Sequence, residues 1–257
     1  MNKVNFKTGD GVRLVGVWEL PKKPTQKAIV LAHGISVDKD EDGIFTELAK
    51  LLKESGFAVF RFDFRGHGES EGNSVDMTIT GELKDLDSAI NLVKKDYQKI
   101  GLLGASFGGS IAALYSAVNK DLFKCLCLWN PTLHYGHTFL NPYLPWLKDK
   151  KDQMQKDLAE KSWTEIGSKK FKLGKQLFEE MKKLYPQEAL KAITIPTLIV
   201  HGDKDTHVPY IDSKEYVSFL ENGQLITIRE AEHGFHDNKK HRERVLKETL
   251  RFFMENL

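Results

Sequence analysis

Ile100-Gly101-Leu102-Leu103-Gly104-Ala105-Ser106-Phe107-Gly108 is the stretch on which the fold turns. Its apolar start predicts a buried strand over 100–103. The small and apolar residues of 107–117 predict a helix pressed closely against a sheet. Between them, Gly-Ala-Ser-Phe-Gly fits a nucleophile elbow, the sharp strand-to-helix turn that holds a serine oxygen clear of the sheet. Gly104 and Gly108 permit close packing that a Cβ would obstruct. Five residues match such a pattern easily by chance, but a match set between the required strand and helix is far more specific.

The same alternation extends in both directions. Residues 28–32, Ala-Ile-Val-Leu-Ala, are apolar without alternation, as in a strand covered on both faces. A helix over 45–55 follows, with Leu48, Leu51 and Leu52 as its stripe, then a strand over 57–62 and a helix over 82–94. Strands over 123–128, 197–200 and 224–229 and helices over 213–220 and 242–255 continue the pattern. Residues 4–20 read as an edge hairpin turning at Lys7-Thr8-Gly9-Asp10-Gly11. Repeated strand and helix units predict a mostly parallel central sheet with helices on both faces and right-handed crossovers. The rhythm breaks between 131 and 193, where Pro142 and Pro145 interrupt regular structure. A hairpin turning at Gly167-Ser168 and a helix over 175–183 are expected there. The expected organisation is a core of residues 1–132 and 193–257 carrying an inserted cap of residues 133–192.

Composition excludes several classes. Thirty-eight Lys and Arg stand against 36 Asp and Glu, a net charge of +2, so there is no general attraction to nucleic acid. With 40% apolar and 29% charged residues the chain is globular rather than disordered. No apolar run approaches the ~18 to 20 residues of a membrane-spanning helix. The first twenty residues mix Lys3, Lys7, Asp10 and Arg13 among apolar ones, unlike a signal peptide, and a cytoplasmic protein is expected. Cys125 and Cys127 share a strand face, cannot easily meet at disulfide geometry, and read as small core residues rather than metal ligands. A homodimer is expected, although the amphipathic stripes are already needed to cover the sheet and reveal no second interface.

A serine hydroxyl is a poor nucleophile without a base to take its proton and a group to orient that base. His233 follows the strand 224–229 through Glu230-Ala231-Glu232, which brings it to the carboxyl edge of the sheet. His236 competes, but lies on or near the final helix. In His201-Gly202-Asp203-Lys204-Asp205, Asp203 is nearer the strand end and Asp205 deeper in the loop, and geometry alone separates them only slightly, in favour of Asp205. Glu232 and Asp237 are weaker alternatives. His33 reads as a loop brace rather than a base, and Asp63 and Arg65 as a scaffold ion pair. Gly66 and Gly68 are too irregularly placed for a dinucleotide fingerprint, and no phosphate loop appears, so no cofactor is assigned. A zinc site would need three ligands and an open position, whereas the strongest histidine already fits a serine triad; no metal is assigned.

The chain resembles the α/β-hydrolase superfamily, especially small bacterial carboxylesterases, feruloyl or cinnamoyl esterases and monoacylglycerol-lipase-like members. The resemblance runs nearly end to end, through His33-Gly34, Asp63-Phe64-Arg65-Gly66-His67-Gly68-Glu69-Ser70, the elbow, the His201 to Pro209 segment and Glu232-His233-Gly234-Phe235. It implies a serine carboxylesterase with Ser106 as nucleophile. The acid it implies is Asp205, three residues after the glycine of the second His-Gly pair, and the base is His233, followed directly by Gly-Phe. It also implies oxyanion-hole N–H groups at Ile35 and Phe107. The substrate class implied is a small-molecule acyl ester, with an aromatic or short aliphatic acid. Tyr135 and Trp163, among the cap aromatics, are expected to contact it. Thioester or N-terminal peptide hydrolysis, and a noncatalytic binding protein on the same scaffold, are the alternatives.

Overall fold

The computed structural model describes residues 2–236 and 238–257; the alternative acid Asp237 lies outside them. Strands β1 (Asn2–Lys7) and β2 (Arg13–Glu19) form the edge hairpin, with Asn2 opposite Trp18 and Lys7 opposite Arg13. Then come β3 (Lys27–Ala32), α1 (Ile44–Glu54), β4 (Ala58–Phe62), α2 (Ile79–Val93), β5 (Lys99–Ala105), α3 (Ser106–Val118) and β6 (Cys125–Trp129). The segment after β6 holds α4 (Pro145–Lys148), α5 (Lys151–Glu160), the hairpin β7 (Trp163–Ile166) and β8 (Phe171–Gly174), α6 (Lys175–Met181) and α7 (Pro186–Ala189). β9 (Thr197–Gly202), α8 (Tyr210–Tyr216), β10 (Gly223–Ile228) and α9 (Lys239–Asn256) close the chain.

Eight strands form one sheet in the order β1-β2-β4-β3-β5-β6-β9-β10. β2 runs antiparallel to both its neighbours, and every other pairing is parallel. The carboxyl ends of β3, β5, β6, β9 and β10 therefore open on one edge, where ligands of open α/β sheets bind.

The uninterrupted apolar strands are explained by burial on two sides. In β3, Ala28, Val30 and Ala32 enter the core shared with α2 and α3, while Ile29 and Leu31 enter the one shared with α1 and α9. β6 repeats this: Leu126 and Leu128 face the first core, Cys125, Cys127 and Trp129 the second. Both thiols are free and buried, and burial pushes that of Cys125 up to about 12. Local signals set the helix ends. Thr78 Oγ1 accepts from Gly81 N–H at the start of α2 (2.9 Å), and Gly56 takes a left-handed φ of +95° just past α1.

One expectation needs correction. Arg65 does not pair with Asp63: its guanidinium reaches Asp85 (2.7 Å) and Asp10 (3.0 Å), while Asp63 pairs with Lys39 (2.9 Å) and also accepts from Lys39 and Glu69 N–H. The charged stretch from Lys148 includes α5, largely exposed, which turns Met154 and Asp157 inward. No helix among the described residues is long and apolar enough to cross a membrane.

Candidate active site

β5 passes into α3 at Ser106, whose φ of +51° is a left-handed conformation costing about 1–3 kcal/mol in a residue with a side chain. The strain persists because the surroundings are backbone. A Cβ on Gly108 would sit 2.2 Å from the His33 carbonyl oxygen, and one on Gly104 2.4 Å from that of Gly108. Only glycine at both positions lets β3, β5 and α3 meet this closely, and the meeting lifts Ser106 off the sheet edge.

Ser106 Oγ lies 3.1 Å from His233 Nε2, and His233 Nδ1 lies 2.7 Å from Asp205 Oδ2. His233 begins a single turn, His233–Phe235, pinned by the buried Phe235 ring standing edge-on to Trp129 at 6.1 Å. Asp205 is fully buried and fully paired. Its Oδ1 accepts from His207 and Val208 N–H, both at 2.8 Å, and its Oδ2 also takes His201 Nε2 at 3.1 Å. Burial alone would raise its pKa, but the charge and hydrogen bonds of His233 and His201 hold it well below the usual carboxylate range. An ionised Asp205 only accepts, so His233 Nδ1 carries the proton and Nε2 is left to accept from the Ser106 hydroxyl. Burial lowers the His233 pKa, yet the Asp205 charge and hydrogen bond, with a further contribution from Glu41, prevail and raise it.

The competing residues are occupied elsewhere. Asp203 Oδ1 accepts from Glu230 N–H (2.6 Å), and His236, between the His233 turn and α9, lies 3.4 Å from an Arg242 nitrogen. His33 Nε2 accepts from Phe64 N–H (3.0 Å), while its Nδ1–H donates to the Gly34 carbonyl (2.7 Å). Burial drops its pKa to about 4, so it stays neutral. That second bond fixes more than a carbonyl. Gly34 C=O and Ile35 N–H belong to one trans peptide plane and point in opposite directions, so gripping the oxygen aims the Ile35 N–H. Phe107 N–H, in the first turn of α3, has no carbonyl four residues back within the helix and is one of its open N-terminal donors.

A cavity of about 500 Å³ opens over Ser106. Its floor includes Ile35 and Glu41, one wall Trp146 and His207, and its roof the hairpin tip Gly167-Ser168-Lys169. Lys169 Nζ crosses to Asp42 at 3.0 Å, with both side chains more than half exposed. The His207 ring stacks on that of His233 (4.9 Å) and lies tilted against that of Trp146 (5.0 Å). Burial first, and then the charge of His233, lowers its pKa to about 4, so it is a neutral slab against the imidazole.

Residues 23–240 match the family model described as serine aminopeptidase, S33. The chain belongs to this α/β-hydrolase family. The hydrolase is 27% identical to a monoacylglycerol lipase of Mycolicibacterium smegmatis over 227 residues, 79% of each chain. Among solved structures, Est1E from Butyrivibrio proteoclasticus with ferulic acid bound matches at a TM-score of 0.85 and 25% identity, over 98% of both chains. A monoacylglycerol lipase of Paleococcus ferrophilus shares the fold at 0.72 and 19% identity, over 95% of this chain and 99% of that one. By this kinship the hydrolase is a carboxylic ester hydrolase with a small inserted β-hairpin cap.

The site brings Ser106, Asp205, His233 and Ile35 together and leaves the two expected cap residues behind. Tyr135 is buried with its ring 5.7 Å from that of Phe107, and does not line the Ser106 cavity. Trp163, on β7, is half-buried between Lys172 (4.5 Å) and Lys161 (5.4 Å) and is not on that lining either. Trp146 and His207 stand there instead. The Trp146 N–H reaches the Thr206 carbonyl (3.3 Å), a contact between cap and core that no local pattern announces. Glu41 is also missing from the sequence reading. It is one acid in the run Asp38-Lys39-Asp40-Glu41-Asp42, and nothing in that run marks which carboxylate turns inward.

Proposed function

We propose that the hydrolase cleaves an ester of a modest aromatic or short aliphatic acid through an acyl-enzyme on Ser106. The observation that carries this reading is the unbroken hydrogen-bond chain from Ser106 Oγ through His233 to a buried, fully paired Asp205. His233 Nε2 takes the Ser106 proton as Oγ bonds to the acyl carbon, and the carbonyl π pair moves onto oxygen. The oxyanion is met by the N–H groups of Ile35 and Phe107. Collapse expels the alcohol oxygen, which receives the proton from His233, and leaves the acyl group on Ser106. Water then repeats the sequence: His233 takes its proton, the hydroxide adds, and Oγ leaves with that proton, releasing the acid. Asp205 stays ionised throughout and stabilises the transient imidazolium.

The substrate class is supported by a cavity of about 500 Å³ with an aromatic Trp146–His207 wall, which suits a flat acid, and by the ferulic acid bound in the similar Est1E structure. In this reading the cap spans residues 133–192, and the protein is a cytoplasmic homodimer. Light scattering over a dilution series and cell fractionation test those last two parts. The decisive experiment compares methyl ferulate, methyl cinnamate, p-nitrophenyl acetate and long-chain monoacylglycerol, with Trp146→Ala alongside. Preference for the aromatic acids, weakened in Trp146→Ala, is the expected outcome. Rapid cleavage of long-chain glycerides alone removes the substrate class while leaving the chemistry at Ser106 intact. The family model's description favours one second reading, cleavage at a free peptide N-terminus, and aminoacyl p-nitroanilides in the same panel test it.

A further inference from the structure

Glu41 is a buried carboxyl that the reaction at Ser106 does not use as an acid, a base or a ligand. Three independent features bring it there. Its backbone takes a φ of +47°, a conformation that residues with a Cβ rarely adopt, and this turns the side chain inward from an acidic loop. Its Oε2 accepts from Gly34 N–H at 2.6 Å. Its Oε1 and the Cβ of Ser106 lie 3.3 and 3.0 Å from the one point where a Gly34 Cβ would sit, so carboxyl and nucleophile share the space that a side chain at Gly34 would fill. With Ser106 and His233 it lines both the main cavity and a narrow crevice beneath it.

We infer that Glu41 is a positioning residue that clamps the oxyanion loop and places a second carboxylate, after Asp205, beside His233; this rests on the function proposed at Ser106. The two peptide planes that lead to the Ile35 donor are each held by one side chain. His33 grips the Gly34 carbonyl in the second plane, and Glu41 grips the Gly34 N–H in the first. With both held, Ile35 N–H has one direction. The second effect is electrostatic: burial opposes the charge on Glu41 and lifts its pKa to about 7, and the nearby His233 pulls the other way. The influence is mutual, since Glu41 also contributes to raising His233, after Asp205.

The other charged groups around this pair come from every side of the cavity. Asp38 and Asp42 on the same loop add to the rise at Glu41, and Lys169 of the hairpin tip is paired to Asp42. Lys150 precedes α5, and His207 and His236 belong to the loops that carry Asp205 and His233. Among the described residues the donor seen on the Glu41 carboxyl is Gly34 N–H, so Glu41→Gln isolates the charge while the amide oxygen still accepts from Gly34 N–H.

The experiment uses Glu41→Gln and Glu41→Ala in the full chain. kcat and KM for p-nitrophenyl acetate are measured from pH 5 to 9, alongside NMR titration of the His233 ring. In Glu41→Gln, kcat stays within about threefold at high pH, and the His233 pKa, with the acid limb of kcat/KM, falls by roughly half a unit or more. In Glu41→Ala the clamp goes as well, and kcat drops roughly tenfold or more with KM little changed. A merely structural carboxyl moves the melting temperature and neither readout. An unshifted His233 titration in Glu41→Gln together with an intact kcat in Glu41→Ala overturns the inference. Ser106→Ala separates the two levels: if it keeps the parent's esterase activity, the function proposed at Ser106 fails. The His233 titration then still decides whether Glu41 governs the imidazole.

Discussion

Replacing Asp205 with asparagine exchanges one oxygen for an NH2, and the four donors around that side chain dictate the result. The carboxylate accepts two backbone N–H groups on Oδ1 and two imidazole nitrogens on Oδ2. An amide can accept at only one end. Turning its NH2 toward His207 and Val208 N–H would set donor against donor where neither backbone group can change. Two buried hydrogen bonds would go, at about 1–3 kcal/mol each. The amide oxygen therefore stays on the backbone side and the NH2 faces the histidines, which can respond by moving a proton. His233 then holds its hydrogen on Nε2, pointed at Ser106 Oγ, and cannot accept the serine proton. The expected loss in kcat/KM is about 10⁴-fold, roughly 5.5 kcal/mol of transition-state stabilisation. Folding is weakened but retained: both backbone bonds survive, while the stability that came from the depressed carboxyl pKa is lost. Steady-state kinetics at pH 7.5, with fluorophosphonate labelling of Ser106 and a thermal melt on the same sample, measure all three quantities. A folded Asp205→Asn enzyme within tenfold of the parent would show that the tautomer of His233 is not what Asp205 supplies.

Further outcomes follow from burial. The folded pKa of Glu41, about 7, exceeds its ordinary 4.5, so its effect on stability is most favourable below pH 4.5 and is lost as pH rises through 7. Glu41→Gln should therefore gain on the parent by up to roughly 3 kcal/mol between pH 4.5 and 8; a pH-independent difference in urea unfolding contradicts this. Lys39→Met leaves Asp63 buried without its cation and should cost about 3–5 kcal/mol, with part recovered by adding Asp63→Asn. Unchanged urea midpoints would show the pair to be dispensable. Gly108→Ala drives a Cβ against the His33 carbonyl and should lower the melting temperature by several degrees while abolishing esterase activity. A fully active, equally stable variant would deny the close approach of β3 and α3.

What could be read from the sequence was what a short stretch of backbone demands for itself. Gly104 and Gly108 are required by contacts within the elbow and its neighbouring strand, and His233 and Asp205 follow strand ends that the apolar runs already located. Partners that meet across the fold could not be read. The sequence pairs Arg65 with its neighbour Asp63, but its partners stand at positions 10 and 85, brought in by the edge hairpin and α2. The same limit governs the cap. Tyr135 and Trp146 are both aromatics in an irregular segment, and only the docking of that segment decides that the first packs behind Phe107 while the second faces the serine. Glu41 lies within five residues of three aspartates, and its inward turn depends on its own backbone conformation and on the Gly34 amide waiting for it.

The Lys169–Asp42 contact that ties the hairpin tip across the cavity joins two side chains standing largely in water. Such a pair is worth about 0–1 kcal/mol, comparable with thermal energy, and salt weakens it further. The hairpin itself is anchored by Ile166 and Leu173 in the core and by Phe171 stacked on His67, so raising the ionic strength frees only the tip at Lys169. On the proposed function, discrimination among acids falls to the rigid parts beside Ser106: the neutral His207 ring packed between those of Trp146 and His233, and the backbone at Ile35. On that reading, an acid too thick to lie beside His207 is refused by a wall that loosening the hairpin tip leaves in place.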